Sequence, residues 1–177
     1  MQGPDDNEEK ALRRTGLGMM LLFWLIALGL VGWWFHGMLE ARRSPNANLA
    51  ISHSGEPVIL ERSISGHFVA PGTINGQPVE FLLDTGATYL AVPGELAERL
   101  GLERGASAYF STANGLARGY LTTIDQVGLG GLMAHEVRGS INPTLHGDTA
   151  LLGMSFLSRF DIAISGDEMV LTPRGER

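Results

Sequence analysis

The chain has 177 residues, room for about one domain, and 44% of them are apolar against 18% charged, which excludes a disordered or fibrous protein. A net charge of −6 with no long Lys/Arg run argues against a surface built for phosphate backbones, so nucleic acid is not an expected partner. The absence of cysteine rules out disulfides, cysteine zinc sites and a thiol nucleophile, while 24 glycines, about twice the usual share, suit short strands joined by tight turns.

Residues 1–16 are polar, mixed in charge and without an apolar period, which predicts a flexible tail. From Leu17 to Leu39 no side chain is charged. That run is long enough as a helix to cross a bilayer, and Trp33 and Trp34 suit its interfacial belt. A cleaved secretory signal is the competing reading, but the apolar stretch is long for one and no A-x-A site follows it. The positive-inside count is nearly balanced, with Lys10, Arg13 and Arg14 before the span and Arg42 and Arg43 after it. We expect a single-pass protein of the inner (cytoplasmic) membrane with its domain on the extracytoplasmic side. Residues 40–56 read as a linker, and 57–177 as the folded domain.

Within the domain, Val58 and Leu60 alternate with polar neighbours, and Gly66 to Leu83 reads as two strands joined at Asn75-Gly76, a strong hairpin signal. Tyr89 to Val92 is strand-like. Pro93, Leu96, Leu100 and Gly101 then mark the start, apolar face and stop of a two-turn helix. A second Asn-Gly pair, Asn114-Gly115, predicts a hairpin within Ser107–Ile124. Further strands are expected at Val127–Leu129 and His135–Ile141, then a loop from Pro143 to Asp148 and a buried run at Ala150–Leu152. Met154 to Phe160 suggests a short helical turn, and Ile162–Ile164 is placed to pair with Met169–Leu171 across Ser165-Gly166-Asp167. Many short strands with glycine turns indicate an all-β barrel or sandwich.

The stretch Phe81-Leu82-Leu83-Asp84-Thr85-Gly86-Ala87-Thr88 ends an apolar strand on an acid followed by a hydroxyl and a glycine. The strand fixes the backbone in the core, Gly86 permits a tight turn whose N–H points back at the carboxylate, and Thr85 and Thr88 add donors. These eight residues alone fit two readings equally, a catalytic acid or a turn aspartate with Asx-type bonding. The five histidines show no metal spacing, so no metal or other cofactor is expected. Ser155 lies outside any G-x-S-x-G context and reads as the start of a helical turn, and Arg118 reads as a solvated charge.

Over roughly residues 62–172 the chain resembles the retropepsin-like aspartic peptidases, in particular bacterial membrane-anchored single-lobed members. The resemblance rests on F-L-L-D-T-G-A-T at 81–88, Val92-Pro93, Leu100-Gly101-Leu102, Thr112-Ala113-Asn114-Gly115, and Ala150 to Leu157 with its Leu151-Leu152-Gly153 element. It implies an all-β, single-lobed closed barrel with one or two short helices, preceded by one transmembrane helix. It further implies that Asp84 is the catalytic carboxylate, with Thr85 bracing two loops across a dimer interface, Gly86 donating its N–H to Asp84, Ala87 completing the loop and Thr88 bonding the outer oxygen. Thr112, Ala113, Asn114 and Gly115 would form a flap over substrate, and Leu151, Leu152 and Gly153 would pack across the loop.

Such catalysis needs two carboxylates facing one water, and this chain holds one such motif; Asp125, Asp148, Asp161 and Asp167 lack the setting. The expected form is therefore a homodimer with two Asp84 side chains sharing a proton across a two-fold axis, acting on peptide or protein substrates. A tethered module that kept this fold and binds peptides without cutting them is the alternative.

Overall fold

The computed structural model describes residues 6–49, 56–112 and 115–174. The chain divides into two compact units, one up to Arg42 and one from Arg43 onward.

Among the described residues the first unit is one helix, α1 (Asp6–Arg43), whose last residue falls in the second unit. Its Gly18–Leu39 stretch has a mean hydropathy of 1.9 and none of it is buried, so this is one helix long and apolar enough to cross a membrane. The helix starts at Asp6, which corrects the reading of residues 6–16 as a flexible tail. Asn7 to Arg14 is built largely of good helix formers with acids ahead of bases, and it continues a helix already nucleated by the apolar run.

The second unit runs β1 (Val58–Glu61), β2 (Phe68–Ile74), β3 (Gln77–Leu83), β4 (Leu90–Pro93), α2 (Gly94–Arg99), β5 (Ser107–Thr112), β6 (Gly115–Leu129), β7 (Leu132–Asn142), β8 (Thr149–Leu152), α3 (Met154–Leu157), β9 (Phe160–Ser165) and β10 (Glu168–Pro173). Seven strands form one sheet in the order β2-β3-β8-β4-β7-β6-β5, and β2 also pairs with β6. Pairing thus runs from strand to strand and back to β2, although β4 meets β8 through a single register pair, Ala91 with Leu151. The closed barrel expected from the sequence is therefore not clearly closed, because the β4–β8 seam rests on that one pair. Three strands stand outside it as a separate sheet, β1-β10-β9.

Period-two burial builds the core. In β3 the side chains of Val79, Phe81 and Leu83 are buried while Gln77, Pro78 and Glu80 are exposed. Phe81, Phe156, Leu60, Ile74, Leu90, Ile124 and Leu152 are fully buried, each contributing about 1.5–3 kcal/mol relative to exposure. The β2–β3 turn has positive φ at both Asn75 (48°) and Gly76 (77°), as a two-residue hairpin loop of this twist requires. Asn75 also ties the tip to β6: its N–H donates to the Gln126 carbonyl at 2.8 Å, and its Oδ1 accepts from the Gln126 N–H at 3.0 Å. Helix α2 stops where expected, with Gly101 at φ 67°.

The segment after α1 is not a free linker throughout. Asn46 is 6% exposed; its Nδ2 donates to the carbonyls of Glu61 and Val69, and its Oδ1 accepts from the Glu61 N–H, all at 2.8 Å. One carboxamide therefore joins the end of β1 to β2, and Leu49 packs against the core behind it. Residues 50–55 of the expected linker lie outside the described residues.

Candidate active site

Strand β3 lies between β2 and the parallel strand β8, and it delivers Asp84 directly from its end. The ladder continues one residue beyond the strand, with the Asp84 N–H donating to the Leu152 carbonyl at 3.1 Å. The carboxyl-bearing residue is half-buried, while Thr85, Gly86 and Thr88 are exposed and Ala87 is half-buried. The Gly86 N–H donates to Asp84 Oδ1 at 2.8 Å, and the Ala87 N–H donates to the Asp84 carbonyl at 3.2 Å. A carboxylate bonded to the N–H two residues on is also the geometry of an Asx turn, so this contact alone does not separate the two readings of Asp84. Gly86 serves through space rather than through a left-handed φ. A Cβ there would stand 3.1 Å from Asp84 Oδ1.

The far side of the loop is held by α3. The N–H of Met154 donates to the Ala87 carbonyl at 2.8 Å and that of Ser155 to the Thr88 carbonyl at 2.9 Å. The Leu90 N–H donates to Ser155 Oγ at 3.0 Å. Gly153 makes this approach possible, since a Cβ on it would lie 2.4 Å from the Tyr89 carbonyl oxygen and 2.6 Å from that of Ala87. The Leu151-Leu152-Gly153 segment therefore does lie against the Asp84 loop, with Leu152 and Gly153 buried. The bond that the resemblance implied from the Thr88 hydroxyl to Asp84 is not made among the described residues. Thr88 is exposed, and it is engaged through its backbone.

Strands β5 and β6 form the second hairpin, in register Thr112 with Gly115, and Gly115 has φ 104°. Ala113 and Asn114, the middle of the expected flap, lie outside the described residues. The body of the hairpin is tied to the loop by an aromatic contact that the sequence did not disclose. The Phe110 ring meets Tyr89 edge-on, centroids 5.9 Å apart, and packs over Gly119, where a Cβ would sit 3.1 Å from that ring. The only sequence signal was an aromatic on the inward-facing period of β5.

Among the described residues, the other aspartates after the helix are ion-paired or exposed. Asp148 pairs with Arg99, Asp161 with Arg174 at 2.9 Å and Asp167 with Arg62 at 3.3 Å, while Asp125 is exposed on β6. No group of three His, Asp or Glu gathers among the described residues. A surface groove of about 500 Å³ is lined by β2, β3, α2, Ser44, Ala47 and Asp148 and includes nothing of the Asp84 loop.

Comparison with known proteins bears on this geometry. The family described as "gag-polyprotein putative aspartyl protease" matches residues 70–159, just over half of the chain and a span that contains both Asp84 and Gly153. A solved retropepsin-like aspartic protease from Rickettsia conorii superposes with a TM-score of 0.55 at 29% identity, covering 67% of this chain and 91% of that one. An uncharacterized protein encoded in the cobV 5′ region of a Sinorhizobium species is 30% identical over 114 residues, which is 63% of this chain and 49% of the relative. The uncharacterized protein RP867 of Rickettsia prowazekii is 32% identical over 110 residues, 58% of this chain and 45% of the relative. The chain thus spans about half the length of the curated relatives it matches. It belongs to the retropepsin-like family of aspartic proteases.

Proposed function

We propose that the protein is a membrane-anchored aspartic endopeptidase that works as a homodimer, with one Asp84 from each chain at a shared site. The observation that carries this reading is the placement of Asp84: half-buried at the end of a core strand, one oxygen held by the Gly86 N–H, within the span that matches the family. Among the described aspartates that follow the helix, Asp148, Asp161 and Asp167 are paired with arginines and Asp125 is exposed, which favours a second carboxylate supplied by a second copy.

In that pair one Asp84 carboxyl serves as the base and the other, carrying a proton, as the acid. The unprotonated Asp84 takes a proton from a water, and the water oxygen bonds to the peptide carbonyl carbon. The protonated Asp84 gives its proton to the carbonyl oxygen. Proton transfer to the amide nitrogen then lets the C–N bond break, releasing an acid and an amine with no covalent enzyme intermediate. Thr85, exposed beside Asp84, braces the two loops across the axis, with Gly86, Ala87 and Thr88 shaping the loop. The β5–β6 hairpin, with Thr112, Ala113, Asn114 and Gly115 at its tip, closes over substrate and excludes water.

The apolar helix holds the chain in the inner membrane as a single-pass anchor, with the domain on the extracytoplasmic side. Confinement to a plane raises the local concentration of chains and favours the dimer.

The test is Asp84→Asn in the full-length chain, assayed on a peptide library beside the wild type. The expected result is an unchanged circular dichroism spectrum with loss of all cleavage. Cleavage at the wild-type rate by this variant would remove Asp84 from the chemistry, and peptide binding without cleavage by the wild type would favour a tethered binding module.

A further inference from the structure

We propose that Ser155 is a positioning residue for Asp84, shaping from behind the loop that presents the carboxylate. This rests on the peptidase reading of Asp84 and names a residue that reading does not require. Ser155 makes two bonds on either side of Tyr89: its N–H donates to the Thr88 carbonyl at 2.9 Å, and its Oγ accepts from the Leu90 N–H at 3.0 Å. A single residue thus fixes both the exit of the loop and the first N–H of β4, where Leu90 is fully buried.

Ser155 is itself held firmly. Phe156 and Leu157, which follow it, are fully buried. Its carbonyl accepts from Arg159 Nε at 3.3 Å, and the other guanidinium nitrogens donate to the carbonyls of His135 at 2.6 Å and Glu136 at 3.1 Å in β7. Glu136 sits at φ 50°, a conformation that a side chain of this kind adopts only where its surroundings enforce it. A line of bonds therefore runs from β7 through Arg159 and Ser155 to the segment four residues beyond Asp84. Removing the hydroxyl leaves the Thr88 bond and frees the Leu90 N–H, so the loop loses one of its two restraints at this residue while the core beneath is untouched. Misplacement of a reacting group by a fraction of an ångström lowers turnover more than substrate binding.

The experiment uses the full-length chain in detergent micelles, comparing wild type, Ser155→Ala, Ser155→Thr and Asp84→Asn. Peptide cleavage is measured alongside the amide NMR resonance of Gly86, whose N–H reports on the Asp84 carboxylate. Ser155→Ala is expected to lower kcat by about tenfold or more with KM changed by less than about twofold. Its Gly86 resonance moves, and Ser155→Thr, which keeps the hydroxyl, restores both. Ser155→Cys, which keeps the size and weakens the acceptor, carries the same test in place of an alanine variant that does not fold. An unchanged kcat, or a Gly86 resonance that stays at its wild-type position, overturns the proposal. If the wild type is as inert as Asp84→Asn, the peptidase reading fails. The Gly86 resonance then still decides whether Ser155 shapes the loop.

Discussion

Gly153 is where the site tolerates least. A methyl group there would meet the carbonyl oxygens of Tyr89 and Ala87 at 2.4 and 2.6 Å, both backbone atoms that move only if the loop moves. Gly153→Ala is therefore expected to destabilise the domain by about 1–3 kcal/mol, seen as a lower urea midpoint at unchanged slope, and to reduce peptide cleavage far beyond the loss of folded protein. An alanine variant with wild-type stability and activity would show that α3 does not press on the loop. The Asp84 stretch was legible in the sequence because the bond that holds its carboxylate comes from Gly86, two residues on. Ser155 was not, since an isolated serine ahead of Phe156 says nothing of the distant Leu90 N–H it meets. Tyr89 and Phe110 were missed for the same reason: their contact exists only once the β5–β6 hairpin has folded back.

Among elements, the turns were the most readable. Asn75-Gly76 joins β2 to β3 in the register the pattern suggests, because the φ preference of these residues is local and strong, and β5 and β6 pair as the second hairpin with Gly115 at φ 104°. Lengths were less readable: β6 runs unbroken from Gly115 to Leu129, where the sequence suggested two separate strands, since polar positions such as Asp125 and Gln126 do not interrupt a strand with one wet face. The segment around Asn46 was misread as linker because its polar composition looks alike whether it is solvated or docked. Its carboxamide makes three bonds across β1 and β2, two of them shared with Glu61 alone. Asn46→Ala leaves those backbone groups unpartnered at a half-buried edge, and a loss of about 1–3 kcal/mol is expected, read as a lower melting temperature of the domain. A melting temperature equal to the wild type's would mean the segment is held by Leu49 and chain continuity instead.

For the whole molecule, the β-rich class was visible in glycine content and strand alternation, but the division into two sheets was not. Strands β1 and β10 lie at opposite ends of the domain's sequence, and their pairing leaves no local mark. The functional account likewise depends on something beyond one chain: Asp84 is half of the proposed site. The most direct measurement mixes wild-type chains with Asp84→Asn chains at fixed total concentration, lets subunits exchange, and follows peptide cleavage against the wild-type fraction. If both carboxylates are needed, activity follows the square of that fraction, so an equal mixture retains about a quarter of the wild-type rate. Activity in direct proportion to the wild-type fraction, about half at the equal mixture, would mean that each chain carries a complete site, and would contradict the account.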